Sequence, residues 1–347
     1  TVNYYLDAND STLKEDGVTA SVLDGTDGQV MVEIPKFYTK RTKIGTITTW
    51  EISHLPATGF HLHPAFIKDG VEVDHRYIGA YDACYWEASS GTYKSGLNLD
   101  ALNPDTVNDK LASVSGVYPI CGVYRSETRA LAANRGSGWH QLDFWLVQAI
   151  QMLYLVEKQT FYSQQVLGDG NTNGSYLGSS ADQNDSPHTI AGASNSWGNG
   201  STDGTQPSAG AKPGVAYMSY RGIENFFGNA WNWVDGFNIN DRQAYVSSSP
   251  STFADNTSAN YTLLGSPMPD SNGYVASHQD VDDAFLPNSV GAGGTTGWTD
   301  YYYQSTGWRV ARFGGAASRG VQAGFFCWSL NGSSGSRLRD VSARLAF

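Results

Sequence analysis

In residues 29–40, QVMVEIPKFYTK, apolar side chains fall at Val30, Val32, Ile34 and Phe37 with polar ones between them. That two-residue period predicts a half-buried strand. TITTWEI (46–52) predicts a second after Gly45, and VDHRYIGAYDACYWEA (73–88) a further one entering the main domain. The period then changes. RSETRALAANRGSG (125–138) predicts a helix with Ser126 capping its first turn, Glu127 offsetting the positive end of its dipole, and Gly136 and Gly138 stopping it. DFWLVQAIQMLYLVEK (143–158) is apolar on nearly every side from Phe144 to Val156. A helix of that kind is expected to be packed under a sheet and loops.

Between these segments the pattern lapses. Residues 168–213 shift to Gly, Ser, Asn and Asp, and 246–297 do so with more Thr and Pro. Runs of this length without apolar periodicity count against a compact domain unless something pins them. Trp197, Tyr217 and Trp298 are the expected pins. No heptad and no repeat of about 20–50 residues is found. The division predicted is a small β region over 1–64, serving to mount or oligomerise the protein, and a main domain over 65–347.

The chain has 347 residues with 40% hydrophobic and 16% charged positions, enough for one large domain or one plus a smaller companion. Its 39 glycines, 20 tyrosines and 10 tryptophans suit a loop-rich recognition surface, because Tyr and Trp offer large contact area at small entropic cost. They suit a Gly-rich all-β protein that binds nothing equally well. The net charge of −11 argues against nucleic acid, whose phosphates need a concentrated basic stripe. Arg309, Arg312, Arg319, Arg337, Arg339 and Arg344 are instead spread through Gly and Ser. No apolar run reaches the ~18 residues of a membrane span, and no charged-then-apolar leader opens the chain, so no membrane insertion is expected. Cys84, Cys121 and Cys327 are odd in number and far apart. They form no disulfide framework or zinc pattern, and a reducing compartment is the simpler reading.

Motifs for catalysis or cofactors are missing: no phosphate-binding loop, no nucleophile elbow, no HExxH and no dinucleotide fingerprint. His61 and His63 share a strand face, but no third metal ligand lies near. DGNTNG (169–174) imitates the start of a calcium loop through Asp169, Asn171, Asn173 and Gly174, yet its twelfth position is Ser180 instead of a bidentate Glu. No metal or other cofactor is expected. In GIENFFGNAWNWVDGFNI (222–239), Trp231 and Trp233 share one face with Asp235. The two tryptophans are expected to fill the core between helix and sheet, with Asn229 and Asn232 bonding the loop backbone.

GNAWNWVDG resembles the GNVWEW segment of the formylglycine-generating-enzyme branch of the C-type lectin fold. RYIGAYDACYW is similar to that branch's opening strand, and GWRVARFGG with VSARLAF to its closing strands. SGVYPICGVYRSETRALAANRGSGWHQLDFWLVQAIQMLYLVE, YRGIENFFGNAWNWVDG and AGFFCWSLNGSSGSRLRDVSARL narrow the resemblance to phage receptor-binding proteins diversified by retroelements. The resemblance spans roughly residues 65–347 and is weak before residue 60.

It implies an α+β, C-type lectin fold with two helices packed on antiparallel sheets and long loops. In that family a reverse transcriptase copies a template repeat with errors at adenines and overwrites the 3′ end of the gene. The resemblance therefore implies a fixed frame of Gly314, Gly315, Gly320, Ala323, Gly324, Trp328, Leu330, Ala343, Arg344 and Leu345. Between these would lie diversified, exposed, ligand-binding positions: Ala316, Ser318, Arg319, Val321, Gln322, Phe325, Cys327, Ser329, Asn331, Gly332, Ser336, Leu338 and Asp340. SSGSRLRDVSARL departs from the commoner spacing by one residue, with Ser342 where Gly is usual.

The function implied is capture of a bacterial surface receptor, protein or glycan, by a homo-oligomer. A trimer is expected, carried with phage tail components on a virion tail-fibre tip or on a bacterial cell surface. Two rivals stay open. A copper-using cysteine oxidase of the formylglycine-generating type would need a second cysteine beside Cys327. A conventional calcium-dependent lectin would need clustered acidic ligands, and the tail offers only Asp340.

Overall fold

The computed structural model describes residues 1–95, 103–174, 188–200, 202–207, 215–293 and 300–347. The chain is mostly β with three α-helices among these residues, an α+β arrangement. Its N-terminal strands are β1 (Met31–Pro35), β2 (Tyr38–Ile44), β3 (Ile47–Ser53) and β4 (His75–Gly79). Helix α1 (Arg125–Ala133), β5 (His140–Gln141), α2 (Phe144–Lys158) and α3 (Ser163–Leu167) follow.

Helix α2 forms as its sequence predicts. Asp143 caps it, accepting from Leu146 N at 3.0 Å, and Phe144 through Met152 are all buried. Helix α1 starts two residues earlier than expected. Tyr124 is the N-cap, and Tyr124 N donates to Glu127 Oε2 at 2.9 Å. Ser126 therefore stands inside the first turn, because a Glu three residues past the cap can close the helix start without a capping hydroxyl.

The C-terminal half supplies β6 (Trp231–Asn240), β7 (Gln243–Val246), β8 (Thr262–Leu264), β9 (Gly273–His278), β10 (Pro287–Ala292), β11 (Tyr301–Gln304), β12 (Trp308–Phe313), β13 (Trp328–Gly332), β14 (Val341–Ser342) and β15 (Leu345–Ala346). Most of these form one nine-stranded sheet in the order β8-β7-β6-β12-β13-β11-β9-β10, with β14 parallel to β6. A four-stranded sheet runs β1-β4-β15-β5.

The main core lies between the large sheet and α2, with β3 beside it: Phe144 meets Phe237 at 4.6 Å, and Trp50 meets Phe285 at 5.9 Å. Two arginines, Arg125 buried and Arg129 half-buried, tie α1 to β6. Arg125 donates to Val234 O and Phe237 O at 2.8 and 2.9 Å, and Arg129 Nε to Asp235 Oδ2 at 2.8 Å.

No break falls at residue 64, and the expected two-part division is corrected. β1 pairs with β4 across that boundary, β15 from the chain's far end joins the same sheet, and Ile34 and Phe37 sit in the core with α2. Of the expected loop pins, Trp197 packs on Tyr217 at 5.3 Å, while Trp298 lies outside the described residues, as does Ser180. No helix among the described residues is long and apolar enough to cross a membrane.

Candidate binding face

Strand β13 has two chemically different edges. Trp328 and Leu330 point into the main core, whereas Ser329 and Asn331 point to the other side of the sheet. Register carries this division across four strands. Trp233 on β6, Arg312 on β12, Ser329 on β13 and Tyr303 on β11 stand in one cross-strand row. The adjacent row holds Asn232, Phe313, Trp328 and Tyr302, of which the last three face the core. One face thus packs on the main core, and the other carries a second, smaller buried cluster.

Trp231 and Trp233 belong to this outer face, not to the layer between helix and sheet as expected. They pack with Val310, Ala316, Cys327 and Val341, edged by Tyr301, Tyr303 and Leu338. Arg312 threads the middle: its Nη2 donates to Ser329 Oγ at 2.8 Å and to Asn331 Oδ1 at 2.7 Å. The Arg319 guanidinium lies 5.7 Å from the Trp231 ring and 5.6 Å from the Tyr303 ring, and 3.5 Å from Asp340 Oδ2. Tyr303 Oη donates to Gln322 Oε1 at 2.6 Å.

The loop over this face is pinned through its backbone. Ala317 N donates to Asn229 O at 3.0 Å, Gly320 N to Thr172 O at 2.8 Å, and Gly174 N to Ala317 O at 2.6 Å. Such bonds are indifferent to the side chains that the loop carries. Asn229 and Asn232 do their work one layer deeper, donating to the Asp82 carboxylate at 2.7 and 3.1 Å. Arg344 Nη2 reaches the same carboxylate at 2.8 Å and the carbonyl of Glu224 at 2.6 Å.

Of the thirteen predicted positions, Ala316, Arg319, Gln322, Cys327, Ser329, Asn331, Leu338 and Asp340 come together on or around this face. Ser318 and Ser336 are half-buried, and Val321, 46% exposed, stands clear.

The expectation that all thirteen are exposed is corrected for five. Ala316, Cys327 and Ser329 are buried beneath the covering loop. Gly332 is buried where a Cβ would lie 3.3 Å from Arg312 Nε. Phe325 points the wrong way altogether, stacking on Tyr154 at 4.3 Å and meeting Phe226 at 4.9 Å in the main core. The cause is a turn bound on both sides: Phe325 N donates to Ser163 Oγ at 3.1 Å, Gln151 Nε2 to Phe325 O at 2.6 Å, and Phe326 N to Asp300 Oδ2 at 2.6 Å.

The electrostatics of the face are one-sided. Arg312 is only 8% exposed and forms no ion pair among the described residues, and burial lowers its pKa with Asp340 opposing from a distance. Trp231 Nε1, Arg312 Nε and Arg319 Nε are buried donors without an acceptor among the described residues. Each such group costs about 1–3 kcal/mol if left unmet. No part of this pattern was read from the sequence. The signal available there was Arg312 alternating with core residues in WRVARF.

The remaining candidates resolve simply. His61 Nε2 sits 2.5 Å from Asp283 Oδ2, and His63 is buried against Phe37 at a ring distance of 5.1 Å. No group of three or more metal-ligating side chains occurs among the described residues. The three cysteines are unpaired and buried, and burial pushes the Cys327 thiol well above its ordinary range, so it stands as a thiol and not a thiolate. A separate cleft near the N-terminus, lined by Tyr4, Tyr77, Tyr81 and Trp139 among others, touches none of the thirteen positions.

The chain matches no known protein-family model, and no curated protein matches it at a significant level.

Proposed function

We propose that the chain is a non-catalytic receptor-binding protein of the retroelement-diversified type, built on a C-type lectin fold. Its outer sheet face would capture a ligand on a bacterial surface. The observation that carries this reading is the division of neighbouring residues between faces: Trp328 and Leu330 hold the core while Cys327, Ser329 and Asn331 meet the other side. Variation at the half-exposed and exposed positions bordering that side, Ser318, Arg319 and Val321, would leave the core packing untouched, so that recognition changes without refolding.

A copper-using oxidase is disfavoured by the burial of Cys327, whose thiol is held protonated away from solvent. Assembly as a homo-oligomer at a virion tail-fibre tip, or on a bacterial cell, would turn modest single-site affinity into firm attachment.

The test has two arms. The gene's downstream DNA is expected to hold a near-copy of its last coding stretch that differs mainly at adenines, followed by a reverse-transcriptase frame. Substituting Ser318, Arg319 and Val321 together should change which bacterial cells the protein adsorbs to while its melting temperature holds. Adsorption unchanged by that triple substitution defeats the reading.

A further inference from the structure

Residues 309–347 hold six arginines and a single acid, Asp340, in a chain whose net charge is −11. The arginines are not on one surface: Arg344 is buried against Asp82, Arg309 bonds Ser305 and Arg337 stands near Glu127, which leaves Arg312 and Arg319 for the outer face. On that surface the two arginines nearest the Trp231 ring, Arg312 and Arg319, lie 5.8 and 5.7 Å from its centre. Their Nε atoms and Trp231 Nε1 are three neighbouring donors with no acceptor among the described residues. Arg312 is 8% exposed, so its unmet donor is a built feature and not a solvated side chain. The acid that could answer them, Asp340, stands 3.5 Å from Arg319 and is not within ion-pair distance of Arg312. A site composed of donors wants a ligand composed of acceptors.

Aromatic rings continue the face. Tyr274, Tyr301 and Tyr303 follow one another with centres 5.0 and 4.6 Å apart, all half-buried. Ring faces beside guanidinium groups suit a chain of pyranose rings bearing acid groups: the sugar's C–H face covers the ring, and its carboxylate meets the cation. An acidic peptide would use the arginines but has no such need for a row of tyrosines.

Resting on the receptor-binding reading, we infer that the outer face recognises an acidic polysaccharide, Arg319 and Arg312 taking its acid groups and the tyrosine row its sugar rings. Binding then exchanges the 3.5 Å Arg319–Asp340 contact for a contact with the ligand's acid. The protein's overall negative charge works against indiscriminate attraction to polyanions, so affinity for one must come from this face.

The experiment uses the full chain over immobilised polygalacturonate, neutral dextran and poly-L-glutamate of matched length. Polygalacturonate is expected to bind about tenfold or more tightly than dextran, and to weaken as salt rises from about 50 to 300 mM. Arg319→Gln should weaken that binding about fivefold or more. Arg221→Gln, whose partner Glu157 lies on α2, should leave it unchanged. Arg312→Gln is informative only with an unaltered circular dichroism spectrum; Arg319 is half-exposed and carries the test if it is not.

Equal binding to dextran overturns the inference, as does an equal loss with Arg221→Gln. Poly-L-glutamate binding as tightly as polygalacturonate overturns the polysaccharide assignment. Cell adsorption separates the two readings. Cells captured through Arg319 without any preference for polygalacturonate sink this inference alone. Polygalacturonate bound by a protein that adsorbs to no bacterium sinks the receptor-binding reading instead.

Discussion

Arg312 Nη2 donates to Ser329 Oγ at 2.8 Å and to Asn331 Oδ1 at 2.7 Å, so one arginine of β12 is shared by two positions of β13. Ser329 Oγ also donates to Asn331 Oδ1 at 2.9 Å, which closes a three-membered network. Removing either acceptor alone leaves the other in place, and Ser329→Ala or Asn331→Ala should each cost about 0.5–1.5 kcal/mol. Removing both strands a buried guanidinium N–H. The double variant is expected to lose more than the sum of the singles by about 0.5–2 kcal/mol in a denaturant-unfolding cycle. Additivity would mean that Arg312 finds solvent or another acceptor.

Phe325 and Val321 are four residues apart and should behave as opposites. Phe325 is fully buried between Tyr154, Tyr220 and Phe226, and Phe325→Ala should cost about 3–5 kcal/mol by leaving a cavity in the main core. Val321 is exposed, and Val321→Ala should change stability by no more than about 0.5 kcal/mol. Thermal melts of the two variants decide it. Similar losses would remove the distinction drawn between frame and face.

That contrast also marks how far the sequence could be read. Alternation in CWSLN separates Trp328 and Leu330 from Cys327, Ser329 and Asn331, and the apolar run from Phe144 announces a buried helix. Phe325 defeats the pattern because its direction is set by Ser163, Gln151 and Asp300, which lie 25 to 174 residues away and leave no local trace. Trp231 and Trp233 are misjudged for a related reason. Their burial is as expected, but the side of the sheet they occupy follows from strand register and not from hydrophobicity. The division at residue 64 fails because β1 finds its partner β4 more than forty residues on. The donor excess around Trp231 is not legible at all, since it depends on which acceptors are absent in space.

Arg344 is fully buried and bonds to Asp82 and to the carbonyls of Gly79, Glu224 and Asn225. Burial raises the Asp82 carboxyl, and the Arg344 charge with Asn229 and Asn232 works against that rise. Arg344→Met should therefore cost about 3–5 kcal/mol, because it leaves a buried carboxylate without its cation. Adding Asp82→Asn should restore part of the loss in the same unfolding assay. A double variant weaker than Arg344→Met alone would show that Asp82 is held mainly by the asparagines.

Acid should weaken the fold before its carboxylates titrate. Burial holds His63 and His278 down to about 3 and His188 to about 4, while an unfolded chain protonates its histidines near 6.5. Burial lowers His140 as well, so below pH 6.5 the unfolded state binds protons that these folded histidines refuse, and stability falls with pH. Glu224 opposes this. Burial raises it to about 7 against the hydrogen bonds from Ser194 and Gly192, so from pH 4.5 to 7 the folded state holds a proton that the unfolded state has lost.

Each proton of imbalance between the two states changes stability by about 1.4 kcal/mol per pH unit. Glu224→Gln should steepen the decline, and His188→Gln should flatten it. Denaturant midpoints measured from pH 4.5 to 8 test the sign, and a midpoint that rises on acidification contradicts it.

The loop that spans the outer face leaves β12 through Gly314 and Gly315, both in the left-handed region at φ +92° and +91°. A Cβ at Gly315 would lie 2.5 Å from the Ala323 Cβ, so that strain and contact both exclude a side chain there. Gly315→Ala should cost more than about 1 kcal/mol and unseat the loop bearing Arg319 and Gln322, seen as faster hydrogen exchange at Ala317 and Gly320. Gly335, whose added Cβ would meet nothing nearer than Ser333 Oγ at 3.9 Å and whose φ is not positive, should accept Ala with little effect. The comparison isolates backbone from side chain. A surface whose residues are free to change needs a hinge whose residues are not, and an unaltered exchange pattern in Gly315→Ala would show that the loop's course is fixed elsewhere.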